Sequence, residues 1–427
     1  RECRGRCPHD PYRFLRLKGA PSYRFWVVGS GGWSEKRKGA WNLMKLLRLV
    51  ALWTLVALAA APEALAESIA REQLSLQLGD WTSVAELAYP AEGTPPFPTV
   101  VLIPGSGVAD MDHTVVSPFE YGPEGPASLS SIFRDIAQRL AEQGFAVVRY
   151  NKRYVTGPNQ ADFNRFYLLT LDDFLDDARS VVETAKAHPL VDEDRLFLYG
   201  WSEGSTLAAA LVAERDDVAG LILQAPVVFP WKDTFVYQTL QVGWPYLVSL
   251  VEDGAITGNS LFRGIGGDGG FVAKSIMSYL VDPSGYASGM IRVNPALDSD
   301  QDGRIALGSE LTMASLLRLM DSAFQPGGYL WIYGPDAALP TVGDRLTVLQ
   351  VPLLILQGGR DANVPPEGAK VLHASLTRLG HPDVTLRWYP ELGHSLGETE
   401  SVEKDNFQPI ASEPLDDVVG WLKERAL

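Results

Sequence analysis

Six short strand-like runs, five of them with at least three consecutive apolar residues, constrain this chain more than any other feature. They are "TVVLIPGSG" (99–107), "FAVVRYN" (145–151), residues 195–201, "GLILQAP" (220–226), "VPLLILQGG" (351–359) and "VTLRWYP" (384–390). A strand built on such a run cannot lie on a half-solvated sheet, because both of its faces need cover. The intervening stretches supply that cover. Helices are expected near 127–143 (Ile132, Ile136, Ala137 and Leu140 on one face), over 171–187 (Phe174, Ala178, Val181, Val182, Ala185), and over 203–215, 366–379 and 413–424. Strands and helices alternating in this way predict an α/β fold, a mainly parallel sheet with helices on both faces. Two earlier alternating runs, "LSLQL" (74–78) and "SVAELAY" (83–89), predict an opening antiparallel pair. The rhythm stops over 227–346, where helix-like and Gly-rich pieces such as "GIGGDGG" (264–270) replace it. The expected division is therefore a core in two parts, 67–226 and 347–427. The mostly helical insertion of 227–346 would lie at the strands' C-terminal edge, where such sheets bind ligands.

The N-terminal 66 residues read differently. From Met44, "MKLLRLVALWTLVALAAAPEALAES" has a basic start, an apolar run over Leu49–Ala61 and a small-x-small pattern at Ala64-Leu65-Ala66. That is the layout of a signal peptide over 44–66, with an uncleaved anchor as the other reading. Residues 1–43 lack an initiating Met and are expected to be upstream sequence outside the fold. Localisation is then secreted or periplasmic, with no stable membrane anchor once the leader is cleaved. Residues 1–66 hold 12 of the 37 Lys and Arg but 4 of the 52 Asp and Glu, so the remainder carries 25 basic and 48 acidic side chains, a net of −23. So acidic a surface repels phosphate backbones, which argues against nucleic acid as a partner. Both cysteines, Cys3 and Cys7, lie in this segment, which leaves the rest without a disulfide, thiolate metal site or cysteine nucleophile.

Chemistry concentrates at strand ends. In Gly200-Trp201-Ser202-Glu203-Gly204 a serine stands where a buried strand gives way to a helix. A sharp turn there lifts its Oγ above the sheet edge, and the flanking glycines avoid collisions with neighbouring elements. The N–H of Glu203 opens the helix, where the dipole favours a developing oxyanion. A nucleophilic serine needs a base and a carboxylate to orient that base. Of the six histidines, His394 follows the last strand by a few residues, on the serine's side of the sheet, and Asp361 follows "VPLLILQGG". Asp298, Asp302, Asp336 and Asp344 follow no clear strand. In "IPGSGVADMDH" (103–113), Gly105 and Gly107 permit a close turn, and the N–H of Ser106 is the candidate second oxyanion donor. His113 suits a substrate pocket or the surface.

The stretches "PGSGVADMD" (104–112), "VRYNKRYVTG" (148–157), "GWSEGS" (200–205), "QGGRDANVP" (357–365) and "LGHSL" (392–396) together resemble bacterial secreted α/β-hydrolases of the esterase and serine-aminopeptidase-like group. The order serine, acid, histidine is the order of that fold. The chain departs from the group's pattern at Tyr154, where glycine is usual, and at Trp201, where histidine is commoner. The resemblance implies an α/β-hydrolase fold with a cap over the site. It also implies a serine esterase acting on a small-molecule ester through an acyl-enzyme on Ser202, or a peptidase or amidase with the same triad. No cofactor is expected for catalysis. A non-catalytic calcium-dependent binding protein on the same fold is the reading from a different class. Its basis is "DSDQDGRIALGSEL", which sets Asp298, Asp300 and Asp302 at alternate positions before Gly303, with the Arg304 carbonyl next, as in the start of a calcium loop. The twelfth position is Ser309, with Glu310 one residue late, so a structural calcium ion and an acidic surface turn both fit.

Overall fold

The computed structural model describes residues 68–122, 125–287 and 290–426, so the expected upstream segment and signal peptide lie outside the described residues. Eight strands form one sheet: β1 (Ile69–Leu78), β2 (Trp81–Pro90), β3 (Phe97–Ile103), β4 (Ala146–Tyr150), β5 (Val191–Trp201), β6 (Gly220–Gln224), β7 (Leu353–Gly358) and β8 (Val384–Tyr389). Their order is β1-β2-β4-β3-β5-β6-β7-β8. The first two pairings are antiparallel, and every pairing from β4 onward is parallel. Every residue of β3, β4, β6 and β7 is buried, as their mainly apolar character requires, and the polar exceptions Thr99, Arg149, Gln224 and Gln357 are buried with them. The sequence expectation of a doubly covered, mainly parallel sheet agrees with this topology.

Five helices cover it: α1 (Ile132–Ala141), α2 (Leu171–Lys186), α3 (Glu203–Glu214), α4 (Glu367–Arg378) and α5 (Ser412–Ala426). The path β3–α1–β4 runs toward β1, whereas β4–α2–β5 and β5–α3–β6 run the other way. Right-handed crossovers then place α1 on one face and α2 and α3 on the other. Side-chain pairs agree, with Arg139 of α1 on Asp416 of α5, and Arg179 of α2 on Glu214 of α3. Helix α2 starts at a capping box, the Thr170 hydroxyl accepting the Asp173 N–H while the Asp173 carboxylate accepts the Thr170 N–H. The first helix begins later than the periodicity implies. Residues Gly125–Ser131 are a strand paired with Thr114–Gly122, and helix starts only at Ile132. Pro126 and three serines are poor helix formers, and their backbone groups find partners across the hairpin instead.

Between β6 and β7 the chain leaves the sheet. Short helices, among them Trp231–Tyr237, Gly258–Gly266 and Met313–Ala323, bracket a two-stranded ribbon of Ala255–Thr257 and Arg304–Ala306. This insertion has its own apolar cluster around Leu247, Ile256, Leu261, Met277, Ile305 and Leu316. Among the described residues no helix is long and apolar enough to cross a membrane.

The direction of the connections reverses at β3, so a crevice opens between the C-terminal ends of β3 and β5. There Ile103 pairs with Gly200, and α3 starts directly against the end of β3. A Cβ on Gly204 would sit 2.2 Å from the Ile103 carbonyl oxygen, and one on Gly200 would sit 2.4 Å from the Gly204 carbonyl oxygen. Both obstacles are backbone, so relief requires moving the helix off the strand. Gly204→Ala is therefore expected to lower stability by about 1–3 kcal/mol. Gly420→Ala, on α5 where a Cβ meets nothing within 4 Å, is expected to raise it by up to about 1 kcal/mol. Urea midpoints of the two variants test the contrast.

Candidate active site

Ser202 occupies the junction of β5 and α3 with φ 56° and ψ −122°. A non-glycine residue in this region carries about 1–3 kcal/mol of strain and persists only when its surroundings impose it. They do so here: the Ser202 N–H donates to the Gln224 carbonyl at 2.9 Å, and Gly200 and Gly204 fit against fixed backbone. The loop after β3 closes from the other side, since a Cβ on Gly105 would lie 3.2 Å from Ser202 Cβ. The Glu203 N–H is the first of its helix and has no intrahelical acceptor. Ser106 and Ser202 line the same cavities. The expected oxyanion donors thus flank the serine.

The fully buried Asp361 lies three residues past the end of β7. Its carboxylate accepts the N–H groups of Asn363 and Val364 at 2.8 and 2.9 Å and the Gln357 amide at 2.9 Å. Nδ1 of His394 stands 2.9 Å from both Asp361 oxygens. With Nδ1–H donated to the carboxylate, Nε2 is the basic nitrogen. The histidine's backbone is held as firmly as its ring. Its N–H donates to Asp405 at 2.8 Å, and its carbonyl accepts from Trp201 Nε1 and Gln224 Nε2, each at 3.2 Å. Trp201, where the related group more often has histidine, also packs its ring 5.3 Å from that of His394 and 4.4 Å from that of His113. Tyr154, at the group's usual glycine position, takes the left-handed backbone (φ 67°) that glycine would suit, with its hydroxyl on Asp80 at 2.6 Å.

Two cavities meet at Ser202. One, of about 240 Å³, runs into the insertion between Trp231, Phe235, Tyr279 and Tyr333. The other, of about 300 Å³, lies between His113, Thr114, Val116 and His394. Ser106, Ser202, Phe271 and Asn363 line both. His113 is therefore a pocket residue, and burial pushes its imidazole well below the usual histidine range, with the Lys152 charge adding to this. The insertion touches the site directly: the Tyr237 hydroxyl donates to the Asp361 carbonyl at 2.6 Å, and the Gln238 amide to the Asn363 carbonyl at 2.7 Å.

The remaining expected site lies in the insertion, apart from both cavities. One carboxylate oxygen each from Asp298, Asp300 and Asp302 falls within 4.8 Å of the others. The loop also satisfies itself, since Asp298 accepts the Asp302 and Gly303 N–H groups and Asp302 accepts that of Arg304. Glu310 bonds the N–H groups of Ser299 and Ala306, which hold its carboxyl down to about 2. Asp336 and Asp344 line neither cavity around Ser202.

Known proteins match this chain in two places. The serine aminopeptidase family model matches residues 124–268, which contain Ser202, and the prolyl oligopeptidase family model matches 340–412, which contain Asp361 and His394. The chain has the α/β-hydrolase fold. Within that fold its sequence resembles the esterase and serine-aminopeptidase-like group. Esterase EstD of Thermotoga maritima is 33% identical over 163 residues, which is 38% of this chain and 35% of that relative. The matched segment thus spans about a third of the length of the curated relative. Among solved structures, an esterase of Pyrococcus furiosus aligns with TM-score 0.46 and 13% identity over 84% of this chain and 93% of that one. An acylaminoacyl peptidase of Pyrococcus horikoshii aligns with TM-score 0.44 and 12% identity over 88% and 43%.

Asp405 is a site residue that carried no sequence signal. It sits in a loop beyond any periodic element, yet its buried carboxylate accepts both the His394 and the Ala362 N–H. Burial pushes its carboxyl from 3.8 up to about 6, with the Asp361 charge adding to this. Between those two values the folded protein holds this proton and the unfolded chain does not, so the group's contribution to stability is lost as pH rises through the window. Asp405→Asn keeps an acceptor without the charge. Between pH 4 and pH 7 its stability relative to wild type is expected to rise by about 2–3 kcal/mol, measured by urea unfolding at both pH values.

Proposed function

We propose that this chain is a secreted serine hydrolase of carboxylic esters. The observation that carries the reading is Ser202 on a strained turn, sharing a cavity with a histidine whose imidazole is fixed by a buried carboxylate. Ser202 Oγ attacks the acyl carbon as His394 Nε2 takes its proton, and Asp361 stabilises the imidazolium that results. The N–H groups of Ser106 and Glu203 receive the oxyanion. Collapse of the tetrahedral intermediate expels the alcohol, which His394 protonates, and water repeats the sequence on the acyl-enzyme. His394 lines the second cavity, so the leaving alcohol belongs there and the acyl group in the first, beneath the insertion acting as a cap. Export rests on the leader-like sequence of residues 44–66.

Peptide or amide cleavage is the second reading, favoured by the two peptidase-family matches; the esterase relative supports the first. The lining of the cavities favours an ester. An aminopeptidase needs a carboxylate for the substrate's ammonium. Glu203 is the sole acidic side chain among the described lining residues, and it is already paired with Lys152. p-Nitrophenyl acyl esters should therefore be cleaved with kcat/KM on the order of 10²-fold or more above aminoacyl p-nitroanilides. Comparable anilide turnover would sink the ester assignment. Ser202→Ala should lose fluorophosphonate labelling and about 10⁴–10⁶-fold in kcat. An unlabelled wild type would instead fit the non-catalytic binding protein.

For the Asp298 loop the proposal is a structural calcium ion, supported by its three convergent carboxylates. Its self-satisfied hydrogen bonds support a plain acidic turn. Added calcium at 100 times its Kd should stabilise by about 2.7 kcal/mol and raise Tm, with chelator reversing this. A Tm indifferent to calcium leaves the acidic turn.

A further inference from the structure

Lys152 lies two residues past the end of β4, and its ammonium is buried, as is the Glu203 carboxylate it meets (2% and 1% exposed). Nζ donates to Glu203 Oε1 at 2.9 Å and to the Gly105 carbonyl at 2.6 Å, while resting 4.3 Å above the Phe174 ring. Burying an ion pair in this way is weak support for stability, because desolvation of both groups offsets their attraction. The position of the pair suggests a different use.

The Gly105 carbonyl and the Ser106 N–H belong to one trans peptide, so they point in opposite directions. Fixing the carbonyl on the Lys152 side turns the Ser106 N–H away from it, to the side where Ser106 and Ser202 line the cavities. The same ammonium grips the side chain of Glu203, whose own N–H is the other donor. The carboxylate's second oxygen accepts the Tyr333 hydroxyl at 2.6 Å, and Ser106 lines the same cavity as Tyr333. Tyr333 belongs to the insertion, so Lys152 holds the peptide of one donor and the side chain of the other, while Tyr333 ties Glu203 to the insertion. We propose that Lys152 is the positioning residue of the oxyanion hole, with the Glu203 carboxylate as its counter-charge and Tyr333 as the contact through which the insertion sets the hole's geometry. The proposal rests on the serine-hydrolase reading.

An oxyanion donor acts only in the transition state, so misaligning it lowers kcat and leaves KM nearly unchanged. The test uses Lys152→Met, Lys152→Met with Glu203→Gln (which leaves no unpaired buried carboxylate) and Tyr333→Phe. All are assayed on p-nitrophenyl butyrate, with active sites titrated to completion by a fluorophosphonate. The expected result per titrated site is a kcat about 10–100-fold lower in both Lys152 variants and about 3–10-fold lower in Tyr333→Phe, with KM within about twofold. Inhibition by a trifluoromethyl ketone, which places an oxyanion in the same position, should weaken by the same factor as kcat/KM. If the Lys152 variants do not fold, Tyr333→Phe decides by itself, since it removes one hydroxyl. A purely structural pair would lower Tm and the titratable fraction with kcat per site unchanged, which overturns the proposal. A wild type that neither labels nor turns over any ester or anilide overturns the hydrolase reading and this proposal with it. An active wild type with unchanged variants overturns this proposal alone.

Discussion

The close approach of α3 to the end of β3 is the constraint on which the rest of the molecule depends. With hydrogen in place of a side chain at residues 200 and 204, the helix can start against the Ile103 carbonyl and Ser202 can hold its positive φ. Strain of about 1–3 kcal/mol at one residue is small beside the burial of the surrounding strands. Because β3 and β5 are also the strands at which the connections reverse, this contact falls where the sheet opens a crevice. The nucleophile candidate and the loop carrying the second donor therefore meet without a dedicated element to join them.

His394 illustrates how a loop residue acquires a fixed position. Its ring is held by Asp361, its N–H by Asp405, and its carbonyl by Trp201 and Gln224. Two buried carboxylates thus sit close together in different surroundings. Asp361 receives three N–H donors besides the imidazole, which fix the carboxylate in place. Asp405 receives two, with one oxygen lacking a partner among the described residues, and its proton is held up to about 6. One carboxylate orients the imidazole while the other anchors the loop that carries it.

The insertion has its own apolar cluster, yet its polar side chains reach into the core. Tyr237 and Gln238 bond the carbonyls of Asp361 and Asn363, and Tyr333 bonds Glu203. These three contacts bear on the acid loop and on the residue following the nucleophile. They join the insertion to the chemistry more directly than apolar packing would, because hydrogen bonds fix orientation as well as proximity.

The sequence by itself determined the sheet, its helices and the three strand ends at which Ser202, Asp361 and His394 stand. Burial on both faces leaves an apolar run, and a strained turn between strand and helix leaves paired glycines; both are local patterns. Even the missed start of α1 has a local reason, since serines that could belong to a weak helix chose a hairpin partner. Lys152 and Glu203 were visible only as residues of familiar motifs, Tyr333 and Asp405 not at all. Their roles depend on which carbonyl, carboxylate or N–H lies across from them, at separations of 43 to 130 residues or within a loop of no period. Only the tertiary structure decided those pairings, because a buried polar group must find a partner somewhere and nothing local fixes which one.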